Sequence, residues 1–169
     1  MPAYQAIAFT GPSGSGKTTL IEKIAQHLVP TRRVAVIKHD PKDKARFDTP
    51  GKDSARFYET GADVAVVSDT RTTLMSHHPR TVQEVAGMFG AFDLLLVEGL
   101  KTLPLPRIAI FRGAIEASYL PVVEAIAIDK TIDLAAYDLP KNIDVLDLND
   151  IESIIIWIDH HATTLKGDH

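Results

Sequence analysis

The segment Gly11-Pro12-Ser13-Gly14-Ser15-Gly16-Lys17-Thr18 constrains this chain more than any other. Glycines at 11, 14 and 16 permit backbone angles closed to other residues, so several N–H groups turn inward around one anion. Upstream, Tyr4-Gln5-Ala6-Ile7-Ala8-Phe9 reads as a short buried strand. Downstream, Leu20, Ile21, Ile24, Ala25 and Leu28 recur at helical spacing from Thr18 to Val29, and Pro30 stops the helix. Strand, glycine turn and helix are the context in which Gly-x4-Gly-Lys-Thr is a phosphate-binding P-loop. The helix N-terminus adds its partial positive charge to the nest. Lys17 is expected on the β- and γ-phosphates of a nucleotide and as a catalytic charge, and Thr18 on Mg²⁺.

The remaining pattern extends this start into an α/β fold. Arg33 to Ile37 is a second apolar strand, so the first 37 residues make a βαβ unit with parallel strands. A polar loop, 39–51, leads to a helix over 52–59 that ends at Gly61. Asp63 to Val67 and Thr72 to Met75 predict an antiparallel hairpin. Thr81 and Glu84 form a capping box ahead of another helix. The near-continuous apolar run Phe92 to Val97 is the pattern of a strand buried on both faces. Arg107 to Phe111, Ala125 to Ile128 and Val145-Leu146 predict further strands, and Asp150 opens a C-terminal helix to about His160. Thr164 to His169 is expected to fray. The expected architecture is a P-loop NTPase fold, a mainly parallel sheet with flanking helices and an antiparallel hairpin, in one domain over 1–169.

Composition narrows the function classes. The 169 residues contain no cysteine, which excludes disulfides, thiolate metal sites and cysteine nucleophiles. A net charge of −4 argues against a protein that coats nucleic acid. Met1 to Thr10 lacks the basic start and apolar run of a secretory signal, and no long apolar stretch spans a membrane, so the expected location is cytoplasmic.

A P-loop needs an acidic group beside Mg²⁺ at the end of a neighbouring buried strand. Glu98 ends the most apolar strand and Gly99 turns the chain away, which makes Glu98 the candidate for metal and catalysis; a solvated strand-end charge is the plainer reading. Asp93 lies at the opposite end. Lys38-His39-Asp40 follows the second strand on the same rim, where Lys38 could pair with phosphate and Asp40 could orient water or metal. Lys52, Asp53 and Ser54 open a helix that could form another anion site with Arg56. Asp129 ends a late strand and could accept from guanine N1–H and N2–H₂. His77-His78 and His160-His161 have no further ligand at suitable spacing, and no zinc site is expected.

Four segments taken together resemble the MobB family of molybdopterin-guanine dinucleotide biosynthesis adaptor proteins: 11–19, Val36-Ile37-Lys38-His39-Asp40, Asp48-Thr49-Pro50-Gly51-Lys52-Asp53-Ser54 and Leu96-Val97-Glu98-Gly99-Leu100-Lys101. The order of the last three is more specific than the P-loop alone. The resemblance implies a homodimer that binds GTP with Mg²⁺ and hydrolyses it slowly. It also implies molybdopterin and the molybdenum cofactor guanylyltransferase as partners, the latter joining GMP to molybdopterin. Carried across by motif, Gly14 to Thr19 bind the phosphates and metal, with Glu98 beside the metal. Lys38, His39, Lys52, Asp53, Ser54 and Lys101 are cofactor-side candidates. Relatives often have further histidines after the Lys-His pair, whereas Asp40-Pro41-Lys42 follows here. Two other classes compete with this reading. A small-molecule kinase would use Arg46 and Arg56 as a lid, and a pure interaction module would bind no nucleotide.

Overall fold

The computed structural model describes residues 3–166. The chain divides into two compact units, residues 1–39 with 85–169, and Asp40–Glu84.

In the first unit, β1 (Tyr4–Thr10), β2 (Val34–Lys38), β5 (Leu94–Glu98), β6 (Arg107–Phe111), β7 (Ala125–Ile128) and β8 (Asp144–Asp147) form a sheet in the order β2-β5-β1-β6-β7-β8. Every pairing along that path is parallel. The C-terminal ends of these strands therefore share one rim, and the loop after β1 opens there.

Alternation sorts the side chains. Ile7, Phe9, Leu94, Leu96, Ile108 and Ile110 face a core built with Leu20, Ile21, Ile24 and Leu28 of α1 (Lys17–Leu28) and Ile154, Ile155, Trp157 and Ile158 of α4 (Ile151–His161). Ala109, Phe111, Ile126 and Ile128 face the opposite side, covered by Ile115, Val123, Ile132 and Ile143 from connecting segments. The α4 start is capped as its sequence predicts, with Asp150 accepting from the Ser153 N–H.

The tail behaves differently from its expected fraying. Thr163–Leu165 forms β9, antiparallel to Tyr4–Ala6. β6 meets β1 only from Ala8 onward, so the first half of β1 would otherwise leave backbone donors and acceptors unpaired on that side. Residues 167–169 of the expected frayed tail lie outside the described residues.

Arg32, just past α1, grips Asp159 of α4 through two hydrogen bonds of 2.6 and 2.9 Å. The hydrogen bond from Arg32 holds the Asp159 carboxyl below its ordinary value against the opposing effect of burial. A depressed carboxylate adds stability above its unfolded-state pKa and loses it as pH falls through the lower native value. Asp159→Asn should therefore cost about 1 kcal/mol at neutral pH, the upper end for a part-exposed pair. The difference from wild type should shrink as pH falls through the lowered native value of Asp159. Urea unfolding of both proteins across pH checks this.

The second unit contains α2 (Asp53–Glu59) and the antiparallel hairpin of β3 (Val64–Val67) and β4 (Thr72–Met75). Tyr58 stacks on His77 with ring centroids 3.8 Å apart, and His77 N–H donates to Asp63 Oδ1. The predicted capping box is formed: Glu84 Oε2 accepts from the Thr81 N–H and hydroxyl, ahead of α3 (Val82–Met88), which begins in this unit. No residue from Asp40 to Glu84 is buried, and Phe47, Phe57 and Val67 are more than half exposed.

Candidate functional site

The β1–α1 loop is shaped by its glycines. Gly11 has φ of 137°, and a Cβ there would stand 2.5 Å from the Ile110 carbonyl oxygen. Gly16 caps α1 in the left-handed region with φ of 99° and supplies no side chain to the helix N-terminus. No acidic residue occupies the first turn of α1. The orphan N–H groups of that turn thus keep their positive end for an anion. Ser15 Oγ is buried without a hydrogen-bond partner, a polar group left available within the loop. Ser13, Gly14, Thr18 and Thr19 are exposed.

Lys17 folds back across the loop and donates to the carbonyls of Gly11 at 2.9 Å and Pro12 at 2.7 Å. An ammonium has three donors, so one remains for a ligand oxygen. Burial lowers the Lys17 pKa first, Glu98 opposes that shift, and Lys38 and Lys101 reinforce it. Lys17 thus feels two further ammonium groups and one carboxylate, an excess of positive charge suited to a polyphosphate. The residues fit a nucleoside triphosphate: glycine turns that a Cβ would fill, a bare helix start, and a clustered positive field.

Glu98 ends β5 half-buried, flanked in register by Phe9 and Lys38. The chain then turns through two left-handed residues, Gly99 with φ of 89° and Leu100 with φ of 49°. For leucine this conformation is strained, and Arg107 holds it. Arg107 is 1% exposed; its guanidinium donates to the carbonyls of Gly99, Leu100 and Leu103 at 2.8, 2.9 and 3.1 Å. His39 joins the same corner, its N–H donating to the Glu98 carbonyl at 3.0 Å. Lys101 places its ammonium 3.8 Å above the Tyr119 ring, a cation–π contact. Among the described residues no group of three metal-ligating side chains occurs, so Mg²⁺ here would depend on phosphate oxygens and water beside Thr18 and Glu98.

Asp129, one residue beyond β7, is engaged locally. Its Oδ1 accepts from the Thr131 hydroxyl and, at 3.1 Å, from the Thr131 N–H; its Oδ2 lies 3.6 Å from Arg112 Nη1. Those Thr131 hydrogen bonds, helped by Arg112, hold the carboxyl below its ordinary value against burial.

Asp40, Lys52, Asp53 and Ser54 belong to the second unit. The Asp40 carboxylate accepts from the N–H groups of Lys42, Lys44 and Ala45 at 3.3, 2.7 and 2.6 Å, which organises its own loop. Lys52 precedes α2 without a side-chain cap, Asp53 opens it and lies 4.0 Å from Arg56, and Ser54 follows.

Sequence reasoning missed Arg112, Arg107 and Tyr119. Arg112 had a signal: it is the first polar residue after the apolar run of β6, as Glu98 nearly is for β5. Arg107 had none, because a charged residue opening a strand reads as surface.

The family model described as molybdopterin guanine dinucleotide synthesis protein B matches residues 6–130. A molybdopterin-guanine dinucleotide biosynthesis adapter protein from Haemophilus influenzae is 37% identical over 166 residues, covering 92% of this chain and 89% of the relative. The protein of the same name from Escherichia coli is 37% identical, with 90% of each chain covered. The crystal structure of Bacillus subtilis MobB superposes with a TM-score of 0.74 at 23% identity, covering 98% of this chain and all of that one. A LAO/AO transport system kinase shares the fold at a TM-score of 0.51 and 17% identity. At such identities the structural likeness speaks for the fold, a P-loop NTPase sheet.

Proposed function

This chain belongs to the MobB family of molybdopterin-guanine dinucleotide biosynthesis adapter proteins, and from that premise we propose that it is a GTP-binding accessory protein of molybdenum cofactor biosynthesis. In this reading it works in the cytoplasm beside the guanylyltransferase that joins GMP to molybdopterin. The observation that carries the nucleotide part is the cradle itself: glycine turns, an uncapped α1 start, and Lys17 under the charges of Lys38, Lys101 and Glu98.

The backbone N–H groups of Gly14, Gly16 and Lys17 hold phosphate oxygens, with Gly11, Ser13 and Ser15 shaping the loop. Lys17 neutralises charge on the terminal phosphates, and Thr18, Thr19 and Glu98 orient the metal's oxygen shell. Mg²⁺, when bound, spreads the charge of the β- and γ-phosphates. Lys38 and His39 stand next to Glu98 at the rim, where an attacking water would approach. In this reading, as the family likeness implies, hydrolysis to GDP and phosphate is slow. Lys52, Asp53, Ser54 and Lys101 are the molybdopterin-side candidates. Residues 1–169 act as one nucleotide-binding domain in this account.

We also assign homodimerisation to the second unit. A two-stranded hairpin is marginal alone in water, and this one leaves Val66, Val67 and Leu74 exposed, as Phe47 and Phe57 of the same unit also are. Apolar surface of that kind favours pairing with a second copy.

Calorimetric titration with GTP and ATP, with and without Mg²⁺, tests the nucleotide reading. GTP is expected to bind more tightly than ATP, and Mg²⁺ to strengthen binding. Glu98→Gln should remove most of that Mg²⁺ enhancement, about tenfold in affinity. Equal affinities, or a Glu98→Gln protein with the full enhancement, would contradict the proposal.

A further inference from the structure

Arg112 touches two places that a nucleotide must bridge. It directly follows β6, and its Nε donates to the Ser15 carbonyl of the P-loop at 3.2 Å. The same Nε would stand 3.1 Å from a Cβ on Gly16, so the guanidinium lies against the loop where α1 begins. Its Nη1 lies 3.6 Å from Asp129 Oδ2 at the end of β7. One planar group therefore spans the phosphate loop and the carboxylate beside it.

The lone pairs of that carboxylate are unequally used. Oδ1 takes two donors from Thr131. The Thr131 hydroxyl in turn accepts from the Gly113 N–H at 3.1 Å, which ties the end of β7 back to the end of β6. Oδ2 meets Arg112 at a distance longer than a hydrogen bond, so it keeps capacity to accept from a ligand. The side chain of Asp129 is 13% exposed and that of Arg112 is 49% exposed. The carboxylate is thus held in a recess while its partner borders solvent.

Resting on the nucleotide reading above, we infer that Arg112 is a positioning residue for base choice, which fixes the Asp129 carboxylate toward the purine and couples it to the P-loop. A carboxylate oxygen accepts from adjacent N–H groups. Guanine presents N1–H and N2–H₂ side by side, whereas adenine presents an acceptor at N1. Misplacing such a carboxylate leaves guanine donors unpaired, and the preference falls with it. Arg112 does not contact the base in this account. It acts through Asp129 and through the Ser15 carbonyl, whose loop holds the phosphates of the same ligand.

The test measures affinities for Mg²⁺·GTP and Mg²⁺·ATP in wild type, Arg112→Ala, Arg112→Lys, Asp129→Asn and the Arg112→Ala/Asp129→Asn double variant. Thermal unfolding of each confirms that it is folded. The GTP-over-ATP preference should fall about tenfold or more in Arg112→Ala. Arg112→Lys keeps the charge without the planar fork and should recover part of the preference. The double variant should lose no more preference than Asp129→Asn alone, because both changes break one device. A merely structural role would weaken GTP and ATP equally and leave their ratio unchanged, and that result would overturn the inference. So would multiplicative losses in the double variant, or an Arg112→Lys protein with no preference recovered. Wild type binding both nucleotides without preference would sink the base-choice role and leave the P-loop standing. Wild type binding neither would remove both.

Discussion

Lys17→Ala will lower GTP affinity by at least about a hundredfold, because a charge-assisted contact to phosphate contributes about 3 kcal/mol. The same change will leave the unliganded fold within about 1 kcal/mol of wild type, since the loop it spans is part-exposed and its loss there is two lysine–carbonyl contacts. The asymmetry follows from the sign of the Lys17 shift. Burial holds its pKa below 10.5, so the folded, unliganded chain binds that proton more weakly than the unfolded chain does. Between the lowered value and 10.5, stability of the unliganded protein therefore rises with pH. Phosphate reverses the preference by favouring the ammonium. GTP affinity should consequently fall with rising pH earlier than an ordinary lysine would require. Nucleotide titrations from pH 7 upward, beside urea unfolding of the unliganded protein over the same range, separate the two trends. A Lys17→Ala protein that binds GTP like wild type would contradict both.

Arg107→Met will have the largest effect on stability, a loss of about 3–5 kcal/mol. The guanidinium is 1% exposed and satisfies three carbonyls in the turn after β5. Methionine fills a similar length but gives none of them a donor. The turn also contains Leu100 in the left-handed region, a strained conformation that loses its main restraint in the variant. The damage should therefore appear twice, as a lower urea midpoint and as weaker Mg²⁺ dependence of nucleotide binding, because Glu98 is one residue from the loosened turn. Arg107→Lys supplies donors from a single point and should recover part of the stability. Unchanged midpoints in Arg107→Met would show that water satisfies these carbonyls as well as the side chain does.

The parts of the structure that were legible are those encoded by local rules. Glycine at 11, 14 and 16 followed by Lys17 and a helical stripe announces a tight turn into a helix, and all three glycines take positive φ just ahead of α1. The apolar run before Glu98 places this carboxylate at the rim, and Thr81 with Glu84 forms the capping box that its spacing predicts. What escaped depends on partners distant in sequence. Thr163–Leu165 is a strand because β6 leaves half of one β1 edge open, and no residue within the tail encodes that need. Arg107 is buried because three carbonyls of another segment converge on it. Arg112 reads as an ordinary strand-end cation until Ser15 and Asp129 are seen on either side of it. The Asp129 carboxylate was anticipated as a base reader, but its bonds to Thr131 and its neighbour Arg112 were not.

In the proposed function, inward amides and one lysine between residues 11 and 18 hold the phosphates of a nucleotide. Backbone amide NMR of the full chain during titration with Mg²⁺·GTP tests it most directly. The Gly14, Gly16, Lys17 and Thr18 amide resonances are expected to move far downfield and saturate together, with Lys17→Ala abolishing the shifts. Saturating nucleotide that leaves those four amides in place would contradict it.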